Sequence, residues 1–199
     1  MEGIRICTHG SSGHVLRGFA IFGILILLGG ATPVFARADV LGQDVDHHIS
    51  NEFFIGYCLT GLLLPLTEKQ PQGRHRMFRT LETGGITMLL TEGLKGIVHE
   101  ARPDHGGHDS FPSSHASLSF AVATMQAAYH PKSAWLWYSG ATLISLARLD
   151  EGKHFGQDVV VGGLLGYGVA RWELSQKRGI ILQPLISSRE TGLMAVARF

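Results

Sequence analysis

Cysteine is nearly absent from this chain of 199 residues: Cys7 and Cys58 are the only two. If the N-terminal segment is removed, Cys58 stands alone and no intrachain disulfide can form, so stability has to come from packing. An excess of one charge is missing as well. The formal net charge is +1, which excludes the broad basic footprint of a nucleic-acid binder; any anion site must be local. Charged residues of both signs are scarce, at 17% of the chain, against about a quarter in ordinary globular proteins. Long hydrophobic runs are also few. Beyond the N-terminus the apolar run Phe53 to Leu66 falls short of the roughly 20 residues a bilayer span needs and predicts a buried core helix. What the chain has in quantity is apolar residues (45%), glycine (26) and histidine (11). Glycine at that level suits closely packed helices or membrane contact. The length allows one domain with a single core.

The first 38 residues read as an export signal. Arg5 and Arg17 form a basic leader, Phe19 to Gly30 is apolar, and Ala36-Arg37-Ala38 has the small-x-small form of a cleavage site. Cleavage after Ala38 would leave a nearly neutral domain, 39–199, in the periplasm. The alternative is an uncleaved anchor in the inner membrane, because Gly18 to Phe35 carries no charge.

Within 39–199 the patterns are helical. Asn51 to Lys69 reads as a helix broken near Pro65. The stretch from Gln70 to Arg79 reads as a loop leading into the next helix, with Arg74, Arg76 and Arg79 on a solvated face or in weak contact with anionic headgroups. From Thr80 to Arg102, Ile86, Leu89, Leu90, Leu94, Ile97 and Val98 recur at helical spacing, and Pro103 sets the end at Arg102. A breaker-rich loop follows. Three more helices are expected: Ser114 to Tyr129, ended by His130-Pro131; Ser133 to Leu149; and Phe155 to Leu174. The tail, 179–199, has "SSRETG" between two β-like runs and predicts a hairpin. The expected fold is all-α: one bundle of five or six helices, core 80–174, with a C-terminal β-hairpin.

Three stretches carry chemistry. In "KGIVHEARP", Lys95 and Arg102 are seven apart, which on one helix puts them on nearly the same face about 10 Å apart; the same spacing also describes a plain solvated face. "FPSSH" places Ser113, Ser114 and His115 at a helix start, where free N–H groups attract anions and where a serine can equally be only a cap. In "ARLDEGKHFGQD", His154 and Asp158 are i, i+4, so if both are helical the carboxylate can accept from one ring nitrogen and leave the other as nucleophile. Arg148 adds a third cation. Between the motifs, Asp104, His105, His108 and Asp109 resemble a metal cluster only superficially, because their spacing matches no standard ligand set.

Taken together, Lys95-x6-Arg102-Pro103, Pro112-Ser113-Ser114-His115 and Arg148-x5-His154-x3-Asp158 resemble the three-part signature of the type 2 phosphatidic acid phosphatase superfamily, which also holds bacterial acid phosphatases and vanadium haloperoxidases. The resemblance covers roughly Thr80 to Leu174. Two positions depart from the pattern: Ser114 stands where the family usually has glycine, and Ala147 where it usually has serine.

The resemblance implies a helical bundle of the acid phosphatase/haloperoxidase type and a phosphatase acting on a lipid phosphate, isoprenoid pyrophosphate or small phosphoester. It implies that Lys95, Arg102 and Arg148 hold the phosphate oxygens, with Ser113 and the Ser114 amide adding hydrogen bonds. His154 is then the nucleophile, Asp158 orients and stabilises its ring, and His115 is the acid and base for leaving group and water. No metal or other cofactor is implied, since three cations neutralise the phosphate, and vanadate would bind as its analogue. The alternatives are a vanadium-dependent haloperoxidase and a non-catalytic module for phosphorylated lipid. The pocket wall is expected from Phe53, Phe54, Phe111 and Phe155, and peripheral membrane contact is allowed.

Overall fold

A computed structural model describes residues 43–176 and two strands, 181–186 and 191–196. The expected signal segment, 1–38, lies outside the described residues. Six α-helices are described: α1 (Gln43–His48), α2 (Phe54–Leu63), α3 (Gln72–Val98), α4 (Ser114–Tyr129), α5 (Ala134–Asp150) and α6 (Gly156–Ser175). A π-helical turn, Ile49–Phe53, joins α1 to α2, and 3₁₀ turns follow α2 at Leu64–Thr67 and α4 at Pro131–Ser133. The strands β1 (Ile181–Ile186) and β2 (Thr191–Val196) pair antiparallel, with Ile181 opposite Val196 and Ile186 opposite Thr191. The protein is thus a single all-α bundle followed by the hairpin its tail predicts.

The bundle is organised around α4, which packs against α2, α3, α5 and α6. Nearly everything from Ala116 to Ala127 is buried, and most of it is small or polar: Ala116, Ser117, Ser119, Ala121, Ala123, Thr124 and Gln126 beside Phe120 and Met125. Small side chains let the backbones come close. A Cβ added at Gly166 of α6 would stand 1.9 Å from the Ser117 carbonyl oxygen of α4, and one at Gly162 would stand 2.6 Å from that of Ser113. Only glycine permits that approach. Buried hydroxyls cost nothing further where they return hydrogen bonds to their own helix, as Thr83, Thr87 and Thr91 of α3 do to the carbonyl four residues back.

Several sequence expectations are corrected here. The Gln70 to Arg79 loop is helical from Gln72 onward. Arg76 and Arg79 are accordingly not a solvated face: Arg76 donates to Glu68 at 2.6 Å and Arg79 to the fully buried Glu173 at 2.8 Å, tying the start of α3 to the end of α6. The apolar stripe of α3 is a real helical stripe, but it faces outward. Leu89 is 77% and Ile97 78% exposed, while Thr80, Thr83, Thr87 and Thr91 face the bundle. Phe53 to Leu66 is not a buried core helix either, since Phe53, Ile55, Leu59, Leu63 and Leu66 are all exposed. The continuous helical stretch Val45–Thr67 is long and apolar enough to cross a membrane, and little of it is buried. Finally, α3 ends at Val98 rather than Arg102, because His99 adopts a left-handed conformation (φ 51°) whose N–H caps the Lys95 carbonyl.

Candidate active site

Four helix ends meet at one end of the bundle: the C-termini of α3 and α5 and the N-termini of α4 and α6. The α4 and α6 ends are joined directly, the Ser113 N–H donating to the Asp158 carbonyl at 3.0 Å. Ser113, extended at φ −71° and ψ 116°, caps α4 by accepting from the Ala116 N–H at 3.5 Å. The cap reading of this serine therefore holds, and it also fixes where the free amides of α4 point.

The residues expected from the three motifs are brought together. His115 lies within electrostatic reach of Arg148, His154, Lys95 and Arg102, and burial together with those neighbours pushes its pKa down to about 3. The ring of Phe54 packs on it, centroids 4.3 Å apart, so one of the expected pocket phenylalanines does border the site. Arg102 reaches the cluster from the loop, not from a helical face shared with Lys95; its N–H donates to the Gly107 carbonyl at 2.9 Å.

Every phosphate-binding candidate cation is paired with a carboxylate. Arg102 grips Asp109 with two hydrogen bonds of 2.8 Å. Lys95 lies 3.6 Å from Glu92 and 4.0 Å from Asp109, and Arg148 donates to Glu151 at 2.7 Å. Partial burial would raise Asp109, but the hydrogen bonds of Arg102 and the charges of Arg102 and Lys95 hold it below the ordinary carboxylate range. Ser114 donates its hydroxyl to Glu92 at 2.9 Å. That turns the serine side chain toward α3. Of the loop residues that suggested a metal cluster, Asp109 is taken by Arg102, and Asp104 pairs with Lys153 at 2.6 Å.

His154 and Asp158 are not on one helix. Gly152 takes φ +66° and Phe155 is extended, so His154 sits in the turn before α6 and Asp158 in its first turn. The Nδ1 of His154 faces the Ser110 carbonyl at 2.7 Å, while Asp158 Oδ2 is 3.8 Å away. Asp158 Oδ2 instead accepts from the Ser110 hydroxyl at 2.6 Å and the Phe155 N–H at 2.8 Å. A backbone carbonyl, not the carboxylate, therefore holds the ring: Nδ1–H donates to Ser110 and Nε2 carries the lone pair. Sequence reasoning missed Ser110, Glu151 and Glu100 and weighed Asp109 only as part of a metal cluster; none of the four has a motif spacing of its own. The only signal for them was their position inside or beside the three motifs.

Three cations and two histidines beside a helix N-terminus at one end of a helical bundle form a candidate anion site. The PAP2 superfamily model matches residues 77–180, just over half of the chain, and the chain belongs to that superfamily. Among known proteins it is similar to the bacitracin transport permease protein BcrC of Bacillus licheniformis, 36% identical over 63 residues, which are 32% of this chain and 31% of the relative. It is also similar to the lipid A 1-phosphatase of Porphyromonas gingivalis, 29% identical over 147 residues, covering 61% of this chain and 33% of that one. The chain thus spans about a third of the length of these curated relatives. In fold it resembles the crystal structure of Aquifex aeolicus LpxE, with a TM-score of 0.51 and 21% identity over 67% of this chain and 94% of that one.

Proposed function

We propose that this protein is a membrane-associated phosphatase that hydrolyses a lipid phosphate through a phosphohistidine intermediate. The observation that carries it is the convergence of Lys95, Arg102, Arg148 and His154 around His115 at the mouth of α4. Phosphoryl transfer needs charge neutralisation and positioning above all, and this arrangement offers both. The similarity to a lipid A 1-phosphatase supports a lipid substrate.

In the proposed reaction Lys95, Arg102 and Arg148 hold the non-bridging oxygens, with Ser113 and the Ser114 amide at the start of α4 adding hydrogen bonds. His154 Nε2 attacks phosphorus as the ester P–O bond breaks, and His115 gives its proton to the departing alkoxide. The neutral His115 then takes a proton from water, which attacks phosphorus, breaks the P–N bond and frees phosphate. The carbonyl of Ser110 keeps Nδ1 protonated throughout, and Asp158 at 3.8 Å stabilises the charge that the ring gains.

Burial supports the membrane setting. Leu59, Leu89, Trp135, Leu136, Leu164 and Trp172 are exposed around the outside of the bundle while threonines, serines and alanines fill its interior. Soluble cores are built the other way round; helices that pack in lipid use small residues between themselves and large apolar ones outward. The site residues lie at helix ends and in loops, where a lipid headgroup would be. An exported N-terminal segment ending at Ala38 would place that end in the periplasm.

The test is phosphate release from a phosphorylated lipid in mixed micelles by the purified protein and by His154→Ala. The substitution is expected to abolish turnover and the acid-labile, base-stable phosphoenzyme, because no other nucleophile is poised in the site. Near-normal turnover by His154→Ala would replace the covalent route with direct attack by water.

A further inference from the structure

Asp158 is fully buried and only half satisfied. Its Oδ2 receives the Ser110 hydroxyl and the Phe155 N–H, but its Oδ1 has no donor. The side chain that meets it is another carboxyl, Glu100, which lies within hydrogen-bonding contact. Glu100 is held there from two sides: its carbonyl accepts the Ser110 N–H at 3.0 Å, and its Oε1 accepts from Gln157 Nε2 at 2.9 Å. Two ionised carboxylates cannot share such a contact, since neither has a hydrogen to give.

We propose that Glu100 is a positioning residue of the active site that retains a proton and donates it to Asp158 Oδ1, so that the pair carries a single negative charge behind His154. The proton belongs on Glu100, because Asp158 already accepts two short hydrogen bonds and faces His154, whereas Glu100 accepts only one from an uncharged amide. The shifts agree in direction. Burial and then the neighbouring Asp158 raise Glu100; burial also works to raise Asp158, but the nearby His154 ring and the hydrogen bonds from Ser110 and the Phe155 amide bring it lower. The titratable group facing the pair is His154 from the turn before α6; His115 on α4 and the cations Lys95, Arg102 and Arg148 occupy the same pocket.

Loss of this proton would set a second negative charge beside Asp158 and push the two side chains apart. Asp158 would then no longer stand squarely behind His154, and a dianionic substrate would meet more repulsion. The proposal rests on His154 being the nucleophile, and it is tested by pH profiles of kcat/KM for wild type, Glu100→Gln and Glu100→Ala, with p-nitrophenyl phosphate as probe. An amide reproduces the donor to Asp158 and the acceptor to Gln157 but cannot ionise. Glu100→Gln is expected within about threefold of wild type on the acid side, with the alkaline fall of wild type displaced upward by a pH unit or more. Glu100→Ala leaves the buried Oδ1 unpartnered and is expected to lose about tenfold or more in kcat at every pH. An alkaline limb that is absent in wild type or unchanged in Glu100→Gln would overturn the proposal, as would Glu100→Gln being as impaired as Glu100→Ala. Should Glu100→Ala fail to fold, the limb in Glu100→Gln decides alone. An inactive His154→Ala beside an unmoved limb would refute only the role of Glu100; an active His154→Ala would refute the reading beneath it.

Discussion

Replacing Gly166 by alanine should damage both the fold and the site, although Gly166 touches no proposed substrate group. The new Cβ would lie 1.9 Å from the Ser117 carbonyl oxygen, 2.8 Å from its carbon and 2.9 Å from the Ala121 nitrogen. Carbon and oxygen need about 3.3–3.6 Å, so α4 and α6 must part by about 1.5 Å. The obstacle is backbone, which no rotamer change can relieve. Overpacking of this kind costs about 3 kcal/mol or more, and alanine returns about 1 kcal/mol of helix propensity. The net loss of about 2 kcal/mol or more corresponds to a fall of about 4–8 °C in Tm for a protein of this size. The same parting separates His154 and Asp158, at the start of α6, from Ser113 and His115, at the start of α4, and a misplacement of about 1 Å is expected to cost about a hundredfold in kcat. Gly168 supplies the control, being exposed on the same helix with nothing within 4 Å of an added Cβ. Thermal unfolding in detergent and initial rates on both variants decide the matter: Gly166→Ala as stable and active as Gly168→Ala would refute the close approach of these helices.

Asp109 holds the Arg102 fork, and in the proposed reaction phosphate would have to compete with it, so Asp109→Asn should tighten inhibition by inorganic phosphate several-fold, about the worth of one charge-assisted pair; unchanged or weaker inhibition would count against this competition. Burial and the neighbouring Arg148, His154, Lys95 and Arg102 push the pKa of His115 down to about 3, and a phosphate dianion among those cations should raise it. Phosphate binding should therefore take up a proton and weaken as pH rises, which calorimetry in buffers of different ionisation enthalpy would show; binding without proton uptake contradicts it. Charge neutralisation by three side chains predicts activity that survives EDTA and is inhibited by vanadate. Activity lost to chelation and restored by a divalent metal would refute that assignment.

Local chemistry makes much of this protein legible in its sequence. Ser113 starts α4 and His130-Pro131 stops it because a cap and a missing N–H act on their own neighbours; the hairpin follows from a turn between two β-like runs. The candidate site residues are legible for a similar reason: the order and spacing of Lys95, Arg102, Ser113, Ser114, His115, Arg148, His154 and Asp158 resemble a family signature made of short local motifs.

The tertiary structure decided which face of each helix turns inward and who holds whom. Periodicity marks an apolar stripe on α3 but not its direction, and here close packing around glycine and alanine draws the threonines in and leaves Leu89 and Ile97 outside. Arg79 has a buried partner 94 positions away in Glu173, so its spacing to nearby residues carried no sign of it. Asp158 was expected to hold His154 as a helical neighbour. Gly152 and Phe155 break that helix, and a carbonyl delivered by the distant Ser110 takes the ring instead. Caps, breakers and motif spacings act over a few residues and can be read in one dimension, whereas the direction of a face and the partner of a buried charge depend on what the rest of the chain brings within about 3 Å.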